Sequence, residues 1–185
     1  MKKVVSLLLA VLMLSGFLCA CHKPEEEAET VVIFSSSGKS EWTVIFSPED
    51  HFRATGAAFS LWQTVNDRFQ YYPGFGKDIW IKQSVGEKEI LVGNTDRPES
   101  AQALEGFADN EYIIKFDGTK LVINAKDPYG VRYAMRTFLA ENPGEIALKT
   151  DYVKKGTFEI PETVTVVDSM KRGFNVFIKG YKPEV

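Results

Sequence analysis

Residues 111–142 read EYIIKFDGTKLVINAKDPYGVRYAMRTFLAEN and carry the clearest structural signals in the chain. The runs Glu111 to Phe116 and Lys120 to Asn124 are rich in β-branched and aromatic residues. They flank Asp117-Gly118, a dipeptide typical of a tight hairpin turn. Asp127-Pro128 then supplies a helix N-cap and a proline at the first helical position. We therefore predict a strand pair followed by a helix. The apolar face of that helix is formed by Val131, Ala134, Met135, Phe138 and Leu139.

A similar unit is predicted at the start of the domain. Thr30 to Phe34 and Glu41 to Phe46 are strand-like runs separated by a serine-rich turn, so we expect them to form a hairpin. Ser47-Pro48 then resembles a helix start, with a serine N-cap followed by proline, and the helix should continue to about Gln70. Five side chains at helical spacing predict its buried stripe: Phe52, Phe59, Trp62, Val65 and Phe69.

The middle of the chain predicts two short strands and a second helix. The strands are Asp78 to Lys82 and Glu89 to Val92, and they follow a Gly/Pro loop at residues 71–76. Asp96 is the expected N-cap of a helix that contains Pro98 and runs to about Leu104.

Paired strands that alternate with helices predict the α+β class. We expect one sheet of paired, mainly antiparallel strands with two or three helices packed on one face. One domain should span residues 30–185. Its last part, 145–185, is expected to be an extension with strand-like runs at Glu145 to Lys149, Val164 to Val167 and Phe174 to Lys179.

The stretch EILVGNTDRPES, residues 89–100, and the helix start DPYGVRYA, residues 127–134, carry a family resemblance. Together with the strand pair between them, they resemble the non-catalytic second domain of bacterial β-N-acetylhexosaminidases and chitobiases. The same domain precedes the barrel of α-glucuronidases. The resemblance covers residues 85–140 well and 30–84 loosely. It implies a β-N-acetylhexosaminidase domain-2-like fold and a carbohydrate-related role.

One departure from these enzymes decides what the resemblance implies. Their catalytic carboxylates lie on a (β/α)8 barrel of about 250 residues, whereas about forty residues follow the third predicted helix here. No catalytic residue can therefore be carried over, and a shared fold does not itself give a function.

The first twenty-one residues predict export and a lipid anchor. Lys2 and Lys3 precede an apolar run from Val4 to Leu18, which is the pattern of a secretory signal and is too short to span a bilayer comfortably. Leu18-Cys19-Ala20-Cys21 resembles a lipobox. Residues 1–20 would be removed, and Cys21 would become the lipidated N-terminus at a bacterial cell envelope. Residues 21–29, with their glutamate run, are then a solvated tether.

Composition excludes several kinds of chemistry. Both cysteines precede the domain and the chain has two histidines, His22 and His51, so we expect neither a thiol nucleophile, nor a metal site, nor a cofactor. The net charge of −3, with scattered lysines, argues against a nucleic-acid partner. The acids Asp50, Asp96, Asp117 and Asp127 each have a local structural role as a cap or turn residue.

Aromatic residues are the best candidates for a ligand site. Tyr71, Tyr72, Phe75 and Trp80 cluster around the 71–76 loop, where flat rings can stack on the apolar faces of sugars. Arg97 is a candidate contact for an anionic ligand at a helix start, although a surface salt bridge explains it as well.

These observations favour a membrane-anchored, non-catalytic accessory protein that binds a glycan or a glycan-processing protein. One alternative is the N-terminal part of a glycoside hydrolase whose barrel lies outside this chain. A second is a structural envelope protein with a protein partner.

Overall fold

The computed structural model describes residues 28–77 and 85–160, in which strands and helices alternate. The elements are β1 (Thr30–Phe34), β2 (Thr43–Phe46), α1 (Phe52–Phe69), β3 (Gly74–Lys77), β4 (Glu89–Val92), α2 (Pro98–Gln102), β5 (Glu111–Phe116), β6 (Lys120–Ala125), α3 (Pro128–Glu141), β7 (Ile146–Lys149) and β8 (Val153–Thr157). The predicted α+β class is confirmed.

The main sheet has the strand order β3-β2-β4-β6-β5-β8, and β1 and β7 form a separate antiparallel pair. The hairpin predicted around Asp117-Gly118 is confirmed, with Phe116 opposite Leu121. Gly118 has φ +98°, and the Asp117 carboxylate accepts the backbone N–H of Lys120 at 2.7 Å. β8 adds to β5 antiparallel, as expected of paired strands, whereas β3, β2, β4 and β6 run parallel to one another. The parallel half arises because its strands are joined through crossover connections rather than tight turns.

The hairpin predicted between the first two strands is wrong. β1 pairs with β7, near the end of the described chain, while β2 lies between β3 and β4. Val44, Ile45 and Phe46 are all buried, so β2 is covered on both faces, and strands of that kind occupy the interior of parallel sheets. The turn at residues 35–40 instead carries the chain from one sheet to the other. The Ser40 hydroxyl fixes it by donating to the Ile33 carbonyl at 2.7 Å.

Helices cover both faces of the main sheet. α1 and α3 pack side by side on one face, as predicted, whereas α2 and the turn after it cover the other. Alternate side chains along a strand point to opposite faces of the sheet and pack into two separate cores. In β6, Leu121 and Ile123 join the larger core, while Val122 packs with Ala103 and Phe107 in the smaller one.

The buried stripe of α1 agrees with the prediction at Val65, and Phe69 is partly buried against the core, but the rest of the stripe differs. Phe52 and Phe59 are 41% and 50% exposed, and the residues that face the core are mainly small: Ala54, Ala57, Ala58, Leu61 and Val65. These positions also recur at helical spacing, one step out of phase with the aromatic residues. Small side chains let α1 approach the sheet and α3 closely, and the larger rings are left toward solvent.

Two predicted helix starts are corrected and one is confirmed. α1 begins at Phe52 with His51 as its N-cap, because the Ser47 hydroxyl accepts the Glu49 N–H and holds a turn before the helix. α2 begins at Pro98 with Arg97, not Asp96, at the N-cap position, and the Asp96 carboxylate forms an ion pair with Arg97 at 2.8 Å. Asp127 caps α3 as predicted and accepts the N–H of Tyr129 at 2.7 Å.

β3 occupies part of the segment that was predicted to be a loop. Gly74, Phe75 and Gly76 pair in parallel with β2. A Cβ on Gly74 would lie 2.5 Å from the Thr43 hydroxyl oxygen, so only glycine permits this close approach of the two strands.

Other predictions lie outside the described residues. They are the signal segment with Cys21, the strand at Asp78 to Lys82, and the runs Val164 to Val167 and Phe174 to Lys179. The run at residues 145–149 is confirmed as β7. Among the described helices, none has both the length and the apolar character to cross a membrane.

Candidate functional site

The carboxyl ends of the parallel strands meet at one edge of the sheet, where open α/β sheets usually bind ligands. From β2 the chain passes through α1 to β3, at one edge of the sheet. From β4 it passes through α2 to β5, toward the other edge. The connections therefore diverge between β2 and β4. The loops at this point begin at Ser47 and Gly93.

Asp50 occupies this crevice. Its Oδ2 accepts the backbone N–H of Asn94 at 2.8 Å, and its Oδ1 accepts that of His51 at 2.6 Å. Gly93 has φ +74°, and a Cβ there would collide with the Asp50 carboxylate and lie 2.9 Å from Ala54 Cβ. The Asp50 carboxylate thus binds two backbone N–H groups at this edge of the sheet.

The polar groups around Asp50 also bind one another. The buried Asn124 donates through Nδ2 to the Ser100 carbonyl at 3.0 Å, and Arg53 donates to the Tyr129 hydroxyl at 2.9 Å. Partial burial, together with the charge of Arg53, lowers the pKa of His51 below its usual 6.5. This network joins the starts of α1 and α3 and is a structural brace in this protein.

A second candidate site is a partly exposed cluster of four aromatic rings. This aromatic surface is formed by Phe59 and Trp62 of α1, Tyr72, and Phe75 of β3. Trp62 and Tyr72 stack with ring centroids 4.2 Å apart and planes 24° from parallel. The ring centroid of Phe59 lies 5.4 Å from that of Trp62, and the ring centroid of Phe75 lies 5.5 Å from that of Trp62. Tyr72 and Phe59 are 55% and 50% exposed, so the surface combines packed rings with accessible ones.

Local structure explains why these rings converge. α1 ends at Phe69, and Gln70 adopts a left-handed conformation with φ 60°, which turns the chain back along the helix. The Trp62 indole N–H then donates to the Pro73 carbonyl at 3.2 Å, tying the helix to the returning segment. Phe75 packs against the buried Phe46, with ring centroids 4.8 Å apart and planes tilted by 33°, and so anchors the surface to the core.

Tyr71 points elsewhere and lines a second feature, the loop pocket, of about 190 Å³. This pocket is formed by the turn at residues 35–40 with Glu41, Trp42, Tyr71 and Lys88 around it. The Tyr71 hydroxyl oxygen is buried and has no hydrogen-bond partner among the described residues. Burial raises the pKa of Tyr71 above its usual 10.

Arg97 lies in a buried ion network rather than at the aromatic surface. Its guanidinium donates to both carboxylate oxygens of Glu89 at 3.1 Å, and Lys120 Nζ donates to Glu89 at 2.8 Å. Burial works to raise the pKa of Glu89, but the hydrogen bonds from Arg97, Lys120 and the Gly86 N–H outweigh it and lower that pKa. Because its donors are used internally, Arg97 is not a member of the candidate site.

The predicted aromatic group is therefore divided. Tyr72 and Phe75 share the aromatic surface, Tyr71 lies in the loop pocket, and Trp80 is outside the described residues. Sequence reasoning assigned Phe59 and Trp62 to the core. The alanines of α1 were the signal that could have corrected this, because they give a complete stripe of their own and leave both aromatic residues on another face.

Within residues 28–77 and 85–160, no three His, Cys, Asp or Glu side chains are grouped so that they could hold a metal ion. The aromatic surface offers ring faces and one hydroxyl group, that of Tyr72. Such an arrangement suits noncovalent recognition.

No family model matches the sequence, and no curated protein does. Among solved structures, the chain is similar to a family GH115 4-O-methyl-α-glucuronidase described as specific for decorated arabinogalactans. The two share 13% identity and a TM-score of 0.43 over 64% of this chain. The match spans 18% of the length of that enzyme. A likeness at this level carries no argument about function.

Proposed function

We propose that this protein is a non-catalytic, lipid-anchored accessory protein that binds carbohydrate through the aromatic surface. The observation that supports binding is the stacked pair of Trp62 and Tyr72, of which Tyr72 is 55% exposed. Stacking covers one face of the Tyr72 ring, so the exposed part of that ring is its other face and its edge.

A sugar ring suits this surface chemically. The C–H groups on one side of a pyranose form an apolar face that packs on an aromatic ring, while its hydroxyls remain hydrated or find polar neighbours. Trp62 is held by its hydrogen bond to Pro73 and Phe75 by packing on Phe46. A platform fixed in this way loses little conformational entropy when a ligand binds.

The test of carbohydrate binding is retention on a glycan array. Replacing Tyr72 with alanine should remove most of the retention, and Phe59→Ala should weaken it. Tyr133→Ala is the matched control, because Tyr133 is also an exposed, packed tyrosine, 48% exposed, but lies on α3. Equal retention for wild type, Tyr72→Ala and Tyr133→Ala would refute the aromatic surface as the site.

The lipid anchor is a separate part of the proposal and rests on the lipobox-like sequence that ends at Cys21. Several acyl chains on one residue would hold the protein at a membrane, since each buried methylene contributes about 0.8 kcal/mol. The intact mass of membrane-extracted protein should equal that of a lipid-modified chain beginning at Cys21. An unmodified mass, or a different first residue, would exclude this anchor.

A further inference from the structure

We infer that the loop pocket binds one terminal sugar unit, which extends the proposed carbohydrate function and rests on it. The pocket has a volume of about 190 Å³. Pockets that hold drug-sized ligands have volumes of about 300–1,000 Å³, so this smaller pocket suits a single small ring rather than a run of linked units.

The lining of the pocket offers hydrogen-bonding groups of both kinds. Ser35 and Ser37 share one hydrogen bond between their hydroxyl oxygens at 2.7 Å. A serine hydroxyl has one donor and two acceptor positions, so this bond leaves donor and acceptor capacity at the pocket. Sugar hydroxyls are also both donors and acceptors, and they can complete these hydrogen bonds.

The walls and the mouth of the pocket narrow the ligand class further. Tyr71, which is half-buried, lines it beside the polar turn and sets an apolar ring next to polar groups, the mixture that a pyranose also presents; Trp42 is in the lining too but is 2% exposed and packs on Phe116. At the mouth, Lys88 pairs with Glu41 at 2.7 Å. Lys39 also lines the pocket, so its charged groups are two lysines and one glutamate.

Hydrogen bonds of Ser40 hold the serine-rich turn in place. Ser40 donates to the Ile33 carbonyl at 2.7 Å and accepts the Trp42 N–H at 3.1 Å, so its hydroxyl is used to fix the turn. Ser35 and Ser37 have no such tie to the strands among the contacts described. The turn therefore contains one holding serine and two serines that are placed for a ligand.

Gly38 gives a direct way to fill the pocket. A Cβ on Gly38 meets no atom within 4 Å, and its φ lies outside the left-handed region, so a side chain can be added there without strain. Gly144 has the same properties and does not line the pocket, which makes Gly144→Leu a matched control for Gly38→Leu.

The experiment is a titration of the full chain with free glucose, galactose, mannose, xylose and N-acetylglucosamine, followed by the NMR shifts of backbone amides. At least one sugar should shift the amides of residues 35–42. Gly38→Leu should weaken the affinity for that sugar about tenfold or more. Ser37→Ala should weaken it by a few fold, as the loss of one hydrogen bond does. Gly144→Leu should bind as the wild type does.

Two results would overturn the inference: no sugar shifting these amides, or Gly38→Leu binding as well as Gly144→Leu. Its failure is distinguishable from failure of the proposed function. If sugars shift the amides around Tyr72 alone and Tyr72→Ala loses array retention, carbohydrate binding stands and the loop pocket is excluded. Pocket binding that survives Tyr72→Ala supports a second, independent sugar position.

Discussion

Replacing Glu89 with glutamine would leave two buried cations without their shared anion. The Glu89 side chain is 1% exposed, and those of Arg97 and Lys120 are 5% and 9% exposed. Glu89 and Asp96 together balance the charges of Arg97 and Lys120, so the variant carries one uncompensated positive charge in the interior. Glutamine also cannot accept through both positions, because one of its terminal atoms is a donor facing Arg97 or the Gly86 N–H.

The expected loss is about 3–5 kcal/mol of unfolding free energy, the usual effect of removing one partner from a buried ion pair. That is a large share of the roughly 5–15 kcal/mol that stabilises a typical domain. Glu41→Gln is the control. Its pair with Lys88 is equally short at 2.7 Å, but the Glu41 and Lys88 side chains are 78% and 43% exposed, so this substitution should leave the urea midpoint nearly unchanged.

Urea unfolding of both variants at pH 7, followed by circular dichroism, measures the difference. Because the folded-state pKa of Glu89 lies below its ordinary value of 4.5, its contribution is complete above that value and is lost as the pH falls through the folded pKa. The wild type should therefore lose more stability than Glu89→Gln on acidification below 4.5. A stability loss for Glu89→Gln that is as small as the loss for Glu41→Gln would refute the reasoning.

Three other substitutions test the crevice and the helix starts. Gly93→Ala should destabilise the fold by about 1–3 kcal/mol, since it forces a positive φ and a collision with Asp50, whereas Gly144→Ala should change the urea midpoint little. Asp127→Ala removes the N-cap of α3 and should cost about 1 kcal/mol in the same assay; no change would mean that the cap is redundant. The folded-state pKa of His51 is lowered, so wild-type stability should fall as the pH drops from 6.5 to that folded pKa, and His51→Gln should lack this slope in thermal melts.

Predictions from the sequence succeeded where the controlling interactions are local. The turn at Asp117-Gly118 and the cap at Asp127 each involve atoms within three residues of one another. The apolar stripe of α3 has a single possible phase, and the structure buries it. The apolar stripe of α1 has two possible phases, and the choice between them depends on how closely the helix approaches α3, which no local window contains.

The same distinction applies to the candidate site. Tyr72 and Phe75 could be selected because aromatic residues beside a Gly/Pro loop are conspicuous in the sequence. Trp62 could not, because its partner Tyr72 becomes a neighbour only after the chain turns back at Gln70. The division of Tyr71 from Tyr72 likewise depends on two different packing partners, the 35–40 turn and the end of α1.

The sequence by itself determined the α+β class, the β5–β6 hairpin, the start and buried face of α3, and an aromatic cluster near residue 72. Tertiary structure alone decided that β1 joins β7, that β2 lies between two parallel neighbours, and that Glu89 is neutralised by Lys120 across the β4–β6 pair. The physical reason is that turns and caps are stabilised by atoms a few bonds apart, whereas strand order and buried charge depend on which distant surfaces exclude water together.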